Sequence, residues 1–452
     1  MSKNSFYNLM KRSIDAQERF RQRWEAFLAD TTVRIDRKEM ENVLSELEIR
    51  LQYNYPFFHP RYAGQMLKPP HDIAIAAYLM AMQINPNNHA LDGGPATAAL
   101  ELEVVQQLAQ MFGYTQHLGH LTSNGTIANL EALWIAKSIH PEKTIAYSSS
   151  AHYTHKRMCE VIGAKHVCLE SFDNIEQDIV RNNIGTIVVT IGTTSIGTIE
   201  PLHDILPIAK KYGVRIHADC AYGGFFMLLA HDQQPMIDPH AFLKLKECDS
   251  ITVDPHKHGL QPYGCGCVLF KNPEVGKFYK HDSPYTYFTS HELHLGEISL
   301  ECSRPGAAAA ALWATLQCFP LKPHTGLGPI LRKTRTAALQ WSSLLNQSTT
   351  LCEYAKPDLD IVTYFPRTKK FTATEITKCT TSVFHDLMNH PTNPLYLATL
   401  TVESGSIRNR YPEFVADAPT TTIFRSVLMK PEHGDFVRTL VREIETAVKH
   451  AM

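Results

Sequence analysis

From about residue 97 onward the chain alternates two hydrophobic rhythms. Short apolar runs at 120–122, 144–147, 166–169, 186–191, 214–219, 250–253 and 265–270 are separated by stretches whose apolar residues recur every three or four positions. The first rhythm fits strands and the second fits amphipathic helices. In TAALELEVVQQLAQMFG, Val104, Val105, Leu108, Met111 and Phe112 fall on one helical face, and Gly113 supplies the stop. Segments 127–138 and 202–212 read as further helices between strands. This βα alternation predicts an α/β fold with a mainly parallel sheet covered on both faces. Such sheets bind ligands at the carboxyl ends of their strands.

The flanking regions follow other patterns. The first 50 residues read as two charged, glycine-poor helices, the second being RKEMENVLSELEIRL, and they look like an appendage to the core. In YPFFHPRYAGQMLKPP, aromatics, prolines and a glycine break any period, which predicts a loop facing a ligand or a partner subunit. Tyr55, Phe57, Phe58 and His59, with His89 further on, are expected to line or adjoin the pocket and mildly favour an aromatic ligand. After about Pro320 the pattern is mixed, and FRSVLM with the final DFVRTLVREIETAVKH predicts a small α+β domain. The expected organisation is a helical segment at 1–85, a large ligand-binding domain at 86–320 and a small domain at 321–452.

Composition narrows the function classes. At 452 residues the chain exceeds what one core usually fills. Its 44 Lys and Arg nearly cancel 45 Asp and Glu, which argues against nucleic-acid or membrane-surface partners held by net charge and favours a small molecule. The N-terminal MSKNSFYNLMKRSIDAQERF has no apolar signal block, and the apolar run near 306–319 is too short to span a bilayer, so a cytoplasmic protein is expected. Ten scattered cysteines without a C-x-x-C pair read as reduced. The paired histidines follow no recognised metal pattern, since HELH at His291 is one residue short of H-E-x-x-H, and no metal is expected.

Candidate chemistry sits at the predicted strand ends. Asp219 closes VRIHAD, Lys257 follows ITVDPH, His152 follows AYSSSA, and TSNGTIAN places glycine and hydroxyls at a helix start. Singly, each has an ordinary explanation: a helix cap, a solvated lysine, a packed histidine, a turn. Together they supply a helix N-terminus for a phosphate, a carboxylate for a ring nitrogen, an aromatic side chain to stack on a ring, and a lysine to condense with an aldehyde. One cofactor needs all four, pyridoxal 5′-phosphate.

The motifs TSNGTIANLEAL, AHYTHKRM, IGTTSIGTIEPL, HADCAYGGF, DPHKHG and SRPGAAAAALWATL, in this order, resemble those of the group II pyridoxal-phosphate-dependent amino-acid decarboxylases. The resemblance runs from roughly Tyr55 to the C-terminus. It implies the aspartate-aminotransferase-like fold (PLP fold type I), with a seven-stranded sheet, and a homodimer with active sites at the interface. It also implies that Lys257 forms the Schiff base, Asp219 pairs with the pyridinium nitrogen, His152 stacks on the ring and Ala221 touches its other face. Gly125, Thr126 and His256 would hold the phosphate, and Thr193 or Thr194 would bond near the ring hydroxyl or the carboxylate end. Arg425 would hold the substrate carboxylate, and a loop tyrosine, Tyr285 with Tyr287 in reserve, would return a proton after carbon dioxide leaves.

The implied reaction is decarboxylation of an L-amino acid to an amine, with a tyrosine-like aromatic substrate preferred. An acidic substrate such as aspartate, glutamate or cysteine sulfinate is the alternative, together with oxidative deamination or another lyase reaction on the same scaffold. Carbon–carbon cleavage of a phosphorylated amino alcohol would require a basic cluster that the sequence does not reveal. His258, one position past the lysine, has no assigned role.

Overall fold

The computed structural model describes residues 3–232, 235–280 and 299–452. All seven apolar runs become strands of one sheet: β1 (Leu118–Thr122), β2 (Thr144–Ser148), β3 (His166–Leu169), β4 (Ile184–Thr190), β5 (Arg215–Asp219), β6 (Ser250–Val253) and β7 (Gly266–Phe270), in the order β1-β7-β6-β5-β4-β2-β3. β7 runs antiparallel to both neighbours and the other six strands are parallel to one another. The centre of the sheet explains its composition. β4, IGTIVVT, is buried at every position, as a strand covered on both faces must be.

Helices connect the parallel strands. Gly125–Ile139 follows β1, Thr154–Val161 follows β2, and Leu202–Lys211 follows β4. The helix Pro95–Met111 begins with proline, whose missing N–H costs nothing in the first turn, and buries Val104, Val105 and Leu108.

A second sheet lies near the C-terminus. It comprises β8 (Leu351–Ala355), β9 (Ile361–Pro366), β10 (Ala398–Glu403) and β11 (Thr420–Val427), all antiparallel, in the order β10-β11-β9-β8. Helices Leu327–Gln347 and Ala373–Met388 pack on it, His433–Ala451 packs on those two helices, and Trp341, fully buried, lies 5.5 Å from the Tyr364 ring.

The N-terminal helices behave differently from each other. The first, Lys3–Arg21, docks on the helix Asp72–Met82, with Ser13 Oγ donating to Ala76 O and Gln17 Nε2 to Met80 O, both at 2.8 Å. It is therefore part of the body and not an appendage. The second, Arg37–Leu51, buries no residue. Among the described residues no helix is long and apolar enough to cross a membrane.

A buried ion pair ties β1 to the segment that follows residue 299. Arg304 pairs with Glu101 and donates to Leu121 O (2.8 Å) and Asn88 O (3.1 Å). Glu101 in turn accepts from Leu121 N (2.9 Å) and Asn88 Nδ2 (2.6 Å). Removing one partner strands a charge in the interior, so Arg304→Met is expected to lower stability by about 3–5 kcal/mol in denaturant melts. A loss below about 1 kcal/mol would show that the pair is dispensable.

Candidate active site

The carboxyl ends of β1, β2, β4, β5 and β6 open onto one cavity of about 260 Å³. After β1, Asn124 caps the next helix by accepting Ile127 N–H at 3.1 Å. The first N–H groups of a helix have no partner within it, and Gly125 and Thr126 of this first turn line the cavity. Glycine is required at 125 by close approach: a Cβ there would stand 2.7 Å from Asp254 Oδ2.

β5 delivers Asp219, which is 4% exposed. Its Oδ2 lies 2.8 Å from His155 Nε2 and accepts from Asn129 Nδ2 at 3.2 Å, while Oδ1 accepts Ala221 N–H at 3.1 Å. Burial pushes the Asp219 carboxyl up, but the hydrogen bond and charge of His155, helped by His217 and Lys257, outweigh it and hold it well below the usual range. A layer behind fixes the orientation. His217 lies with Nε2 2.8 Å from Asn129 Oδ1 and Nδ1 2.9 Å from Ser250 Oγ. Because Asn129 spends its amide N–H on Asp219, its oxygen accepts from His217 Nε2–H, which assigns the tautomer.

Lys257 stands at the cavity, partly exposed, with Nζ 3.0 Å from Asp254 Oδ2. His256 is buried beside it, Nε2 3.6 Å from the same oxygen, and burial lowers its pKa. His152 lines the cavity, with Nδ1 accepting Thr154 N–H at 3.2 Å and lying 2.6 Å from Thr154 Oγ1. Those contacts leave Nε2 to carry the proton of the neutral ring. Ala221 completes the wall between Asp219 and Tyr222.

The residues brought together suit a flat, phosphorylated, nitrogen-containing ring bearing an aldehyde. The pyridoxal-dependent decarboxylase conserved domain matches residues 23–347 of the chain. The chain belongs to this family. It is a pyridoxal-phosphate-dependent amino-acid decarboxylase. It is 27% identical over 341 residues to a probable L-tyrosine/L-aspartate decarboxylase of Methanosphaera stadtmanae, covering 72% of this chain and 84% of that one. It is 28% identical to a probable L-aspartate decarboxylase of Pyrococcus abyssi, with the same coverage. Its fold, PLP fold type I, is shared with the Oryza sativa protein TDC, whose crystal structure holds PLP and tryptamine (TM-score 0.78, 15% identity, 96% of this chain and 91% of that chain).

Other predicted residues of the decarboxylase fall less simply. Of the two threonines after β4, Thr194 lines the cavity, whereas Thr193 is fully buried and its hydroxyl accepts Thr198 N–H at 3.0 Å. Arg425, on β11, is buried outside the cavity lining. Its Nε donates to Ser195 O and its Nη2 to Thr194 O, each at 2.7 Å, and Nη1 reaches Gly64 O at 3.4 Å. It thus straps the loop after β4 to the second sheet. Tyr285 and Tyr287 lie outside the described residues.

The aromatic loop is a correction. Tyr55, Phe57, Phe58, His59 and His89 do not line this cavity. Tyr55 packs on Tyr396 at 4.9 Å, Phe57 on Tyr62 at 4.9 Å and His59 on Phe436 at 5.8 Å, while His89 Nδ1 lies 3.0 Å from Cys302 O. Tyr55 and Phe57 find ring partners in Tyr396 and Tyr62, and Phe58 stays exposed to solvent. Sequence reasoning also missed Asp254, His155 and Asn129. Asp254 reads as a plain strand end, and His155 and Asn129 lie inside helices where the local pattern does not mark them.

Burial drives His217 down to about 3 from 6.5, so the folded protein refuses a proton that the unfolded chain accepts. The resulting stability is present above pH 6.5 and is lost as pH falls toward 3. Between pH 7.5 and 5, His217→Gln is expected to flatten the pH dependence of unfolding by about 2 kcal/mol. Equal slopes in denaturant melts of the two proteins would contradict this account of the histidine.

Proposed function

We propose that this decarboxylase removes the α-carboxylate of an L-amino acid with a tyrosine-like aromatic side chain. The reading rests on one convergence: Lys257, Asp219, His152 and the start of helix Gly125–Ile139 border a single cavity. When bound, pyridoxal phosphate supplies an aldehyde for an amine and a ring that accepts the electron pair left by departing carbon dioxide.

Each residue then has a role. Lys257 Nζ is the amine that holds the cofactor and is exchanged for the substrate amine. Asp219, kept charged, holds a proton on the ring nitrogen. His152 covers one ring face and Ala221 the other. Gly125 and Thr126 would donate N–H groups to the phosphate with His256 beside them, and Thr194, which lines the cavity, is assigned the bond near the ring hydroxyl or the carboxylate end. Arg425 is assigned to the substrate carboxylate, its Nη1 being held most loosely of the three donors described. Tyr285, or failing it Tyr287, returns a proton to the α-carbon.

Tyr153 and Tyr222, which line the cavity, support an aromatic substrate. The relative named for aspartate supports an acidic one as the second reading. We also take the enzyme to be a cytoplasmic homodimer. All ten cysteines are free, and Met40, Val43, Leu44, Leu47 and Leu51 form an exposed apolar stripe on the helix Arg37–Leu51 that a second copy would cover. We also divide the chain into a helical segment at 1–85, a cofactor domain at 86–320 and a closing domain at 321–452, the last boundary falling between helices Gly306–Cys318 and Leu327–Gln347. Light scattering of the purified protein tests the dimer.

Purified protein is expected to show the visible absorbance of a lysine-bound cofactor and to release carbon dioxide and tyramine from tyrosine. A band that survives Lys257→Ala would refute the lysine assignment, and amine formed only from aspartate would replace the aromatic reading by the acidic one. Arg425→Ala is expected to raise KM about tenfold or more with the absorbance intact, as loss of a charged hydrogen bond predicts. If the absorbance disappears with it, Arg425 acts only as a strap. Tyr285→Phe should keep the absorbance and lose amine formation, and unchanged amine output would move the role to another residue.

A further inference from the structure

His258 follows the cofactor lysine and is fully buried, its ring packed edge-on against Tyr222 (4.9 Å) and Phe226 (5.0 Å). Its Nε2 lies 3.5 Å from Asp360 Oδ2, close by but without a hydrogen bond between them. Tyr222, three residues after Asp219 and part of the cavity wall, donates its hydroxyl to Asp360 Oδ1. Asp360 itself is completely buried just ahead of β9, and its backbone carbonyl accepts Leu428 N–H at 2.9 Å. The segments carrying Asp219 and Lys257 therefore meet at one carboxylate supplied by the second sheet.

A carboxylate in such a place is costly unless its partners need it. Burial raises Asp360 to about 6, opposed by the Tyr222 hydrogen bond and by the charge of Lys68. Lys68 Nζ is buried and has no hydrogen-bond partner among the described residues. An apolar residue would fill the same space without this penalty, but it would leave the buried Tyr222 hydroxyl without its acceptor.

We propose that Asp360 is a positioning residue for the cofactor lysine: it holds the Tyr222 hydroxyl, Tyr222 packs on the His258 ring, and Asp219 and Lys257 thereby keep the spacing their shared ligand requires. The proposal rests on the reading of Lys257 as the cofactor lysine. It also accounts for His258, whose ring is a spacer between the lysine segment and the second sheet.

The test is a double-mutant cycle on holoenzyme, read by titrating the visible absorbance of the lysine-bound cofactor and by thermal melting. Asp360→Leu is expected to raise the cofactor Kd about tenfold and Tyr222→Phe several-fold, with the double variant no worse than Asp360→Leu, because the first removes the acceptor and the second the donor of one shared contact. His258→Gln, which leaves the carboxylate in place, should also weaken cofactor retention and carries the test if Asp360→Leu does not fold. Unchanged Kd in the variants, even with lowered melting temperature, overturns the proposal, and so do losses that multiply in the double variant. Absence of the band in wild-type protein would instead refute the cofactor lysine itself, so the two failures are distinguishable.

Discussion

The active site depends on keeping one carboxylate charged inside the protein. Asp219 is buried at the end of a central strand, where desolvation alone would favour its neutral form. His155 reverses that preference by direct contact, and Asn129 and the Ala221 N–H take up further lone pairs. His217 and Ser250 then lock Asn129 in the orientation this requires. In the role proposed for it, a neutral acid at 219 would accept less well from a protonated ring nitrogen, and the electron sink would weaken with it.

The rest of the fold serves this arrangement from two sides. The parallel sheet brings the ends of β1, β2, β4, β5 and β6 to a common edge, so residues far apart in sequence share one cavity. The second sheet supplies buried polar straps. Arg425 holds the loop after β4, and Asp360 meets Tyr222 and His258. These contacts are polar and nearly dry, so they are sensitive to geometry in a way that apolar packing is not.

Much of this was legible in the chain because strands buried on both faces read as unbroken apolar runs, and several of them ended near a residue with chemistry to offer. Asp219, Lys257 and His152 stood out because they broke such runs. Asp254, His155 and Asn129 did not, since their roles arise from neighbours on other elements. Between Thr193 and Thr194 the local pattern offered no choice. One residue of difference in a loop turns one hydroxyl toward Thr198 and brings its neighbour to the cavity.

By itself the sequence determined the order of strands and helices, the apolar core and the chemical types at the strand ends, because periodicity and turn chemistry are local properties. Only the tertiary structure decided which polar groups became partners. It sent the aromatic loop against Tyr62, Tyr396 and Phe436 instead of into the cavity, and it committed Arg425 to backbone carbonyls. It also gave His258 and Asp360 a common contact across about a hundred residues of chain. Such pairings depend on how two sheets meet, and no local pattern encodes that distance.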